Sequence, residues 1–258
     1  MLEKYEKKWN IQFMTKDTVL ISYPKSGRTW LRMILATILD LSGEDVSKYE
    51  MLPAFHYTPK EMVSYIGKGA KIVFLHRDPG DVMMSLYASM KSSGKYDARL
   101  GVFYRGGVSS FIRGNAFYLD EPGRTLSGWE SDGYGLKKAI HYNNTWKRQL
   151  TVFKDFISIK YEELHNNGHQ VIKEVTDWLG FDYDDEIITK AIELSNLENM
   201  KKIENGEGRN NLAHYKGNFG KFQYSKGRVR QGKMQTYLEE LCEEDREYVL
   251  EMKKRSLW

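Results

Sequence analysis

The sequence predicts an α/β protein with a mainly parallel central sheet flanked by helices. Three observations predict it. Short apolar runs alternate along the chain with longer stretches of helical spacing, the pattern of strands joined by crossover helices. Three of those runs end in polar clusters, at Lys25, Arg77 and Tyr161. Ligands of such sheets bind beyond the carboxyl ends of the strands, so clusters at that end point to one shared site. A length of 258 residues suits a single domain over 1–258 with a substantial buried core.

The first predicted strand is Val19-Leu20-Ile21-Ser22-Tyr23. It breaks at Pro24-Lys25-Ser26-Gly27, and helical spacing resumes from Trp30. The second strand is Lys71–His76, ending at Arg77-Asp78-Pro79-Gly80. A helix follows, with Asp81 near its start and Val82, Leu86 and Met90 on one face. The third strand is Phe156–Lys160, followed by Tyr161-Glu162-Glu163-Leu164 and by a helix over Val171–Leu179 that Gly180 stops. Two stretches, 92–132 and 205–233, are rich in glycine and polar or basic residues and weakly periodic. Long irregular stretches inside a compact domain are usually functional loops or disordered ones.

Composition narrows the class. Hydrophobic residues at 41% and charged residues at 29% are ordinary for a soluble globular protein. A net charge of +4 suits an anionic ligand without requiring nucleic acid. The single cysteine, Cys242, excludes an intramolecular disulfide and favours a reducing compartment. It sits in Tyr237–Asp245, which reads as continuous helix, and a structural thiol is expected there. The first residues, Met1–Trp9, are charged and lack the apolar core of a leader, and no run of about 18 apolar residues suggests a membrane span. A cytoplasmic protein is the expectation.

The turn at Lys25 places a lysine, hydroxyls and backbone N–H groups at a helix N-terminus, where the dipole favours an anion. Successive N–H groups curled in such a turn form a nest for phosphate. The triphosphate loop of kinases and NTPases has its lysine after a second glycine; here Lys25 precedes the only glycine, Gly27. A P-loop kinase is one alternative, and it lacks the lysine and the magnesium-holding hydroxyl at the required spacing. A non-catalytic phosphate- or nucleic-acid-binding module built on 205–233 is another, and it leaves Arg77 and Ser85 unexplained.

Tyr23-Pro24-Lys25-Ser26-Gly27-Arg28-Thr29-Trp30 resembles the 5′-phosphosulfate loop of sulfotransferases that use 3′-phosphoadenosine-5′-phosphosulfate (PAPS), commonly Y-P-K-S-G-T-T-W. Arg77-Asp78-Pro79-Gly80-Asp81-Val82-Met83-Met84-Ser85 resembles the family's 3′-phosphate motif, with Arg and Ser eight apart. The resemblance implies a P-loop-NTPase-like sulfotransferase fold, PAPS as a diffusible cofactor, adenosine 3′,5′-bisphosphate (PAP) as product, and no metal. It assigns Lys25, Ser26, Gly27, Thr29 and Trp30 to the 5′ end and adenine, with Lys25 assisting the leaving group. Arg28 is a departure, standing where the family has threonine; it either joins the cofactor-binding set by adding charge at the phosphosulfate, or points away toward the sheet edge or solvent. Arg77 and Ser85 are assigned to the 3′-phosphate, with Asp81 capping the helix or orienting Arg77, and Tyr161 and Ser195 to the base. Tyr224–Lys233 resembles a degraded form of the family's C-terminal loop, in which Lys226, Gly227 and Arg228 would meet phosphate.

Sulfuryl transfer to an alcohol needs the acceptor proton removed as the sulfonate arrives in line, and histidine is the natural base near neutral pH. Of six histidines, His56 resembles the family's catalytic one, lying in Leu52-Pro53-Ala54-Phe55-His56-Tyr57 upstream of Arg77. Ala54 and Phe55 replace the family's lysine and threonine. His76 should point to the face opposite Arg77, and His165 and His169 lie in an Asn/Gly-rich turn and read as exposed. The acceptor is not selected by the sequence. Aromatic and arginine side chains of 92–132 suit a small-molecule or glycan acceptor, with no nucleic acid among the expected partners.

Overall fold

A computed structural model of the chain describes residues 12–13, 18–43, 49–50, 54–92, 107–114, 135–205 and 232–258. In chain order these hold β1 (Gln12–Phe13), β2 (Thr18–Ile21), α1 (Arg28–Leu41), β3 (Tyr49–Glu50), β4 (Ala54–Phe55), α2 (Pro59–Ile66), β5 (Lys71–His76), α3 (Pro79–Ser92) and α4 (Gly107–Arg113). There follow α5 (Leu136–Gln149), a 3₁₀ turn (Leu150–Val152), β6 (Asp155–Lys160), α6 (Tyr161–Asn166), α7 (Gly168–Leu179), α8 (Asp185–Leu194), α9 (Leu197–Glu204), α10 (Thr236–Glu240) and α11 (Glu243–Lys253).

The main sheet runs β4-β2-β5-β6, and every pairing in it is parallel. The register sets Leu20 against both Ala54 and Val73, and His76 against Lys160. Strand alternation divides the core between two faces. Leu20, Val73, Leu75 and Ile159 pack with α1, α7 and α8 through Leu31, Ile34, Leu35, Val175 and Ile188. Val19, Ile21, Ile72 and Phe74 pack on the other side with Val82, Leu86, Phe111, Ile140, Trp146 and Tyr237. Both faces are covered, so β2 and the middle of β5 read as unbroken apolar runs rather than alternating ones.

His76 continues the second face beyond Ile72 and Phe74, as its register requires. Its ring lies 4.0 Å from Trp258 and 5.9 Å from Phe74.

Several boundaries follow from local chemistry. Thr58 and Glu61 form a reciprocal capping box at the start of α2, and Pro59 fills its first position. Gly180, at φ 91, ends α7 as expected. The stretch 92–132, expected to be irregular, contains the helix α4. The stretch Tyr237–Asp245, expected to be one helix, is two: α10 stops before Leu241, and Cys242 takes the N-cap of α11. Cys242 is a free, exposed thiol. Among the described residues, no helix is long and apolar enough to cross a membrane.

Candidate functional site

A cleft of about 670 Å³ opens at the carboxyl ends of the strands, a volume suited to a nucleotide-sized ligand. Four strands contribute to it. The turn after β2 supplies Pro24, Lys25, Gly27, Arg28 and Thr29; β4 supplies His56; β5 supplies Arg77; β6 leads to Tyr161. The short strand β4, which the sequence did not reveal, delivers His56 beside the β2 turn.

The turn itself is a left-handed kink. Lys25 and Gly27 have φ of 67° and 104°, and Trp30 and Leu31 N–H both donate to the Gly27 carbonyl to open α1. A non-glycine residue in this region costs about 1–2 kcal/mol, which makes the Lys25 conformation one that its surroundings impose. Gly27 is required twice: a Cβ there would lie 2.5 Å from Tyr161 Cδ2. Ser26 is fully buried, and its Oγ has no hydrogen-bond partner among the described residues.

Arg28 does not point away from the site. Its Nη2 lies 2.6 Å from His56 Nε2, and His56 Nδ1 lies 2.7 Å from the Ser22 carbonyl. A carbonyl only accepts, so the proton is on Nδ1 and the Nε2 lone pair accepts from Arg28. Burial, then the charge of Arg28, lowers the His56 pKa to about 3, against the opposing bond to Ser22. His56 is therefore a neutral imidazole of fixed tautomer.

Arg77 stands at the end of β5. Its guanidinium lies 4.1 Å over the Tyr161 ring, Nη2 donates to the Lys233 carbonyl at 3.0 Å and Nη1 reaches the Lys25 carbonyl at 3.5 Å. Its buried Nε has no partner among the described residues. The next residues brace it. Asp78 accepts from Gly80 N–H at 2.8 Å and pairs with Lys253, while its own N–H donates to Glu162. Asp78, not Asp81, thus caps α3. Asp81 instead accepts from the N–H groups of Gln235 and Thr236, at 2.7 and 2.8 Å, and from the Thr236 hydroxyl at 3.1 Å. It caps α10, a helix far away in sequence. Burial pushes the Asp81 carboxyl up, against those N–H bonds and the charge of Arg77.

Ser85 lines the cleft one turn beyond Asp81, and Ser89 follows one turn later. Trp30 and Tyr161 also line the cleft, and their rings meet edge to face at 5.6 Å. Ser195 does not reach the cleft. It is fully buried; its carbonyl accepts from the Trp30 indole N–H at 2.9 Å, and its hydroxyl lies 3.3 Å from Thr37 Oγ1. It orients Trp30 rather than lining the site. Lys226, Gly227 and Arg228 lie outside the described residues; that segment returns at Gly232 and Lys233, both in the cleft wall.

Sequence reasoning missed Ser89, His165, Ile192, Asn196 and Met200, all of which line the cleft. Asp81, Ser85 and Ser89 recur at i, i+4, i+8, a polar stripe legible once α3 is assigned. His165 lies on α6 rather than in a turn, exposed at the rim, 6.1 Å from the Trp30 ring.

The cleft thus gathers a strand-to-helix turn with its lysine, an arginine at a second strand end, an aromatic pair and a neutral histidine, in an α/β protein with a parallel sheet. The chain matches the sulfotransferase domain family over residues 44–256 and belongs to it. It is 23% identical to cytosolic sulfotransferase 14 of Arabidopsis thaliana over 85% of this chain and 70% of that one. It is 22% identical to sulfotransferase 2A6 of Mus musculus over 78% of this chain and 69% of that one. The chain spans 62% to 70% of the length of three such plant relatives. The fold is shared with mouse sulfotransferase SULT7A1 complexed with PAP, at TM-score 0.63, 17% identity and coverage of 93% and 83% of the two chains. It is also shared with retinol dehydratase in complex with androsterone and inactive cofactor PAP, at TM-score 0.59, 15% identity and coverage of 98% and 84%. Those two names show that one fold carries different reactions, so the chemistry must be argued from the site.

Proposed function

We propose that this protein transfers the sulfuryl group of PAPS to a hydroxyl or amine of a small-molecule or glycan acceptor, as a single cytoplasmic domain over 1–258. The observation that carries the reading is the pairing, in one cleft, of the Lys25–Thr29 turn with the Arg77 and Ser85 end of β5 and α3. A triphosphate site would not need a second anion point on a separate strand. The orphaned Ser26 Oγ and Arg77 Nε fit a ligand with two anionic ends.

In this reading Lys25 and the first N–H groups of α1 hold the 5′ end, since a helix N-terminus with its dipole is a ready anion site. Arg77, Ser85 and the segment carrying Lys226, Gly227 and Arg228 hold the 3′-phosphate. Trp30, oriented by Ser195, and Tyr161 face the base. Bound PAPS supplies an activated sulfuryl group and a phosphate leaving group. The chain supplies positioning and a proton acceptor: His56 Nε2 takes the acceptor proton, while Nδ1–H stays on the Ser22 carbonyl and keeps the ring aligned. Lys25 offsets charge developing on the leaving phosphate.

The test is transfer of labelled sulfate from PAPS across a panel of hydroxyl- and amine-bearing acceptors, with PAP release followed in parallel. Acceptor-dependent PAP release is expected, lost in His56→Ala while that variant still binds PAP. Full kcat in His56→Ala removes the histidine from its role, and failure of the wild-type protein to bind PAPS or PAP removes the whole reading.

A further inference from the structure

The Arg28–His56 contact conflicts with the role just given to His56. A neutral imidazole has one lone pair, on Nε2, and Arg28 occupies it at 2.6 Å. While that bond holds, Nε2 cannot accept a proton from an acceptor hydroxyl. The other ring nitrogen offers no alternative, because its proton is committed to the Ser22 carbonyl. For His56 to act as base, Arg28 must leave.

Arg28 also lies at a helix start. It is the first residue of α1, next to the positive end of the helix dipole, and the first turn carries no acidic residue. A guanidinium there, beside the anion-favouring turn, is set to meet an anionic ligand. Its backbone continues directly from the Lys25–Gly27 turn, and its side chain lines the same cleft as Lys25 and Thr29. Ala54 stands two residues before His56, so no long cation at that position competes for the same anion.

We infer that Arg28 has two positions, parked on His56 Nε2 in the free enzyme and drawn onto the 5′ anionic group of the bound cofactor, so that the base is exposed only when the cofactor is seated. Arg28 is then a catalytic contact in its second position and a mask in its first. No covalent bond is made or broken in the exchange. One N–H···N hydrogen bond is replaced by N–H···O bonds to an anion, which are the stronger kind, and the His56 lone pair is left for the acceptor proton. The inference rests on the PAPS reading, and the experiment separates the two.

The probe is PAP, whose 5′-phosphate supplies the anion. Nitrogen NMR of the protein labelled in its histidines is recorded at one neutral pH, with the His56 signal identified by its loss in His56→Ala, and calorimetry on the same samples reports whether PAP binds. In the free wild-type protein Nε2 is expected at the position of a hydrogen-bonded acceptor, moving on saturation with PAP to that of an unbonded ring nitrogen. In Arg28→Ala it is expected at the unbonded position before any ligand is added, with little further response to PAP. Turnover in Arg28→Ala should fall by about 100-fold in kcat, the scale for losing one donor to a developing anion, and Arg28→Lys should recover part of it. PAP binding with an unchanged Nε2 signal overturns the inference and leaves the cofactor reading standing. An Nε2 signal that is the same in free Arg28→Ala and free wild type overturns it as well, by showing that the pair does not form. No PAP binding at millimolar ligand removes the cofactor reading and this inference with it.

Discussion

At Gly27 a single hydrogen atom decides the geometry of the cleft. The residue sits at φ 104°, and a Cβ would lie 2.5 Å from Tyr161 Cδ2 and 2.9 Å from Cε2. Gly27→Ala should therefore cost about 1–2 kcal/mol from the backbone alone and displace the Tyr161 ring on which Arg77 rests at 4.1 Å. Urea unfolding and PAP calorimetry check the two effects separately; an alanine variant of wild-type stability and affinity would show that the turn relaxes freely. Arg77→Ala should weaken PAP by about 2–5 kcal/mol, the scale for removing one partner of a desolvated charge pair. Lys25, Gly27, Arg77 and Tyr161 were legible in the sequence because each lies in a short motif directly after an apolar run. The Arg28–His56 contact was not, because it joins two strand ends 28 residues apart and depends on which way one arginine turns. Ser195, expected at the base, was misplaced for a related reason: its carbonyl accepts from the Trp30 indole while its hydroxyl turns to Thr37.

Between elements, the tie that matters most is Asp81. One carboxylate on α3 caps α10 through Gln235 and Thr236, and so fixes the chain that leaves Lys233, whose carbonyl holds Arg77. The Tyr237 ring then packs over Gly80, where a Cβ would lie 2.6 Å from Cδ1, and Lys253 on α11 donates to Tyr237 Oη at 2.7 Å. Asp81→Ala should lower stability by about 1–2 kcal/mol, the range for a lost cap, and weaken PAP binding by loosening Arg77; a loss of stability with unchanged affinity would separate the cap from the site. This tie was not legible in the sequence, since Asp81 and Thr236 are 155 residues apart. Nor was β4, whose two residues are too few to show a period. The longer elements β2, β5 and β6 and the helices after them were legible, because their apolar spacing is set by burial on both faces of the sheet.

Across the whole molecule, the two histidines at the strand ends make stability depend on pH. His56 and His76 are each lowered from an ordinary pKa of 6.5 to about 3, in both cases chiefly by burial. The folded state therefore resists protons that the unfolded chain takes up below pH 6.5, so stability falls as pH drops through that range toward 3. For a ring as buried as His76, the loss between pH 6.5 and pH 5 is about 2 kcal/mol. His76→Leu should flatten the acid side of the stability profile by roughly one proton, read from urea melts at pH 7 and pH 5; an unchanged slope would show that His76 is protonated in the folded state.

The central claim, one cleft that clamps a ligand at two anions, is tested most directly by comparing the affinities of PAP and 5′-AMP in the wild-type protein. The two differ only by the 3′-phosphate that Arg77 and Ser85 would hold. The account predicts that PAP binds at least about 100-fold tighter, the worth of one well-placed charge-assisted contact set. Equal affinities, or ATP binding tighter than PAP, would contradict it.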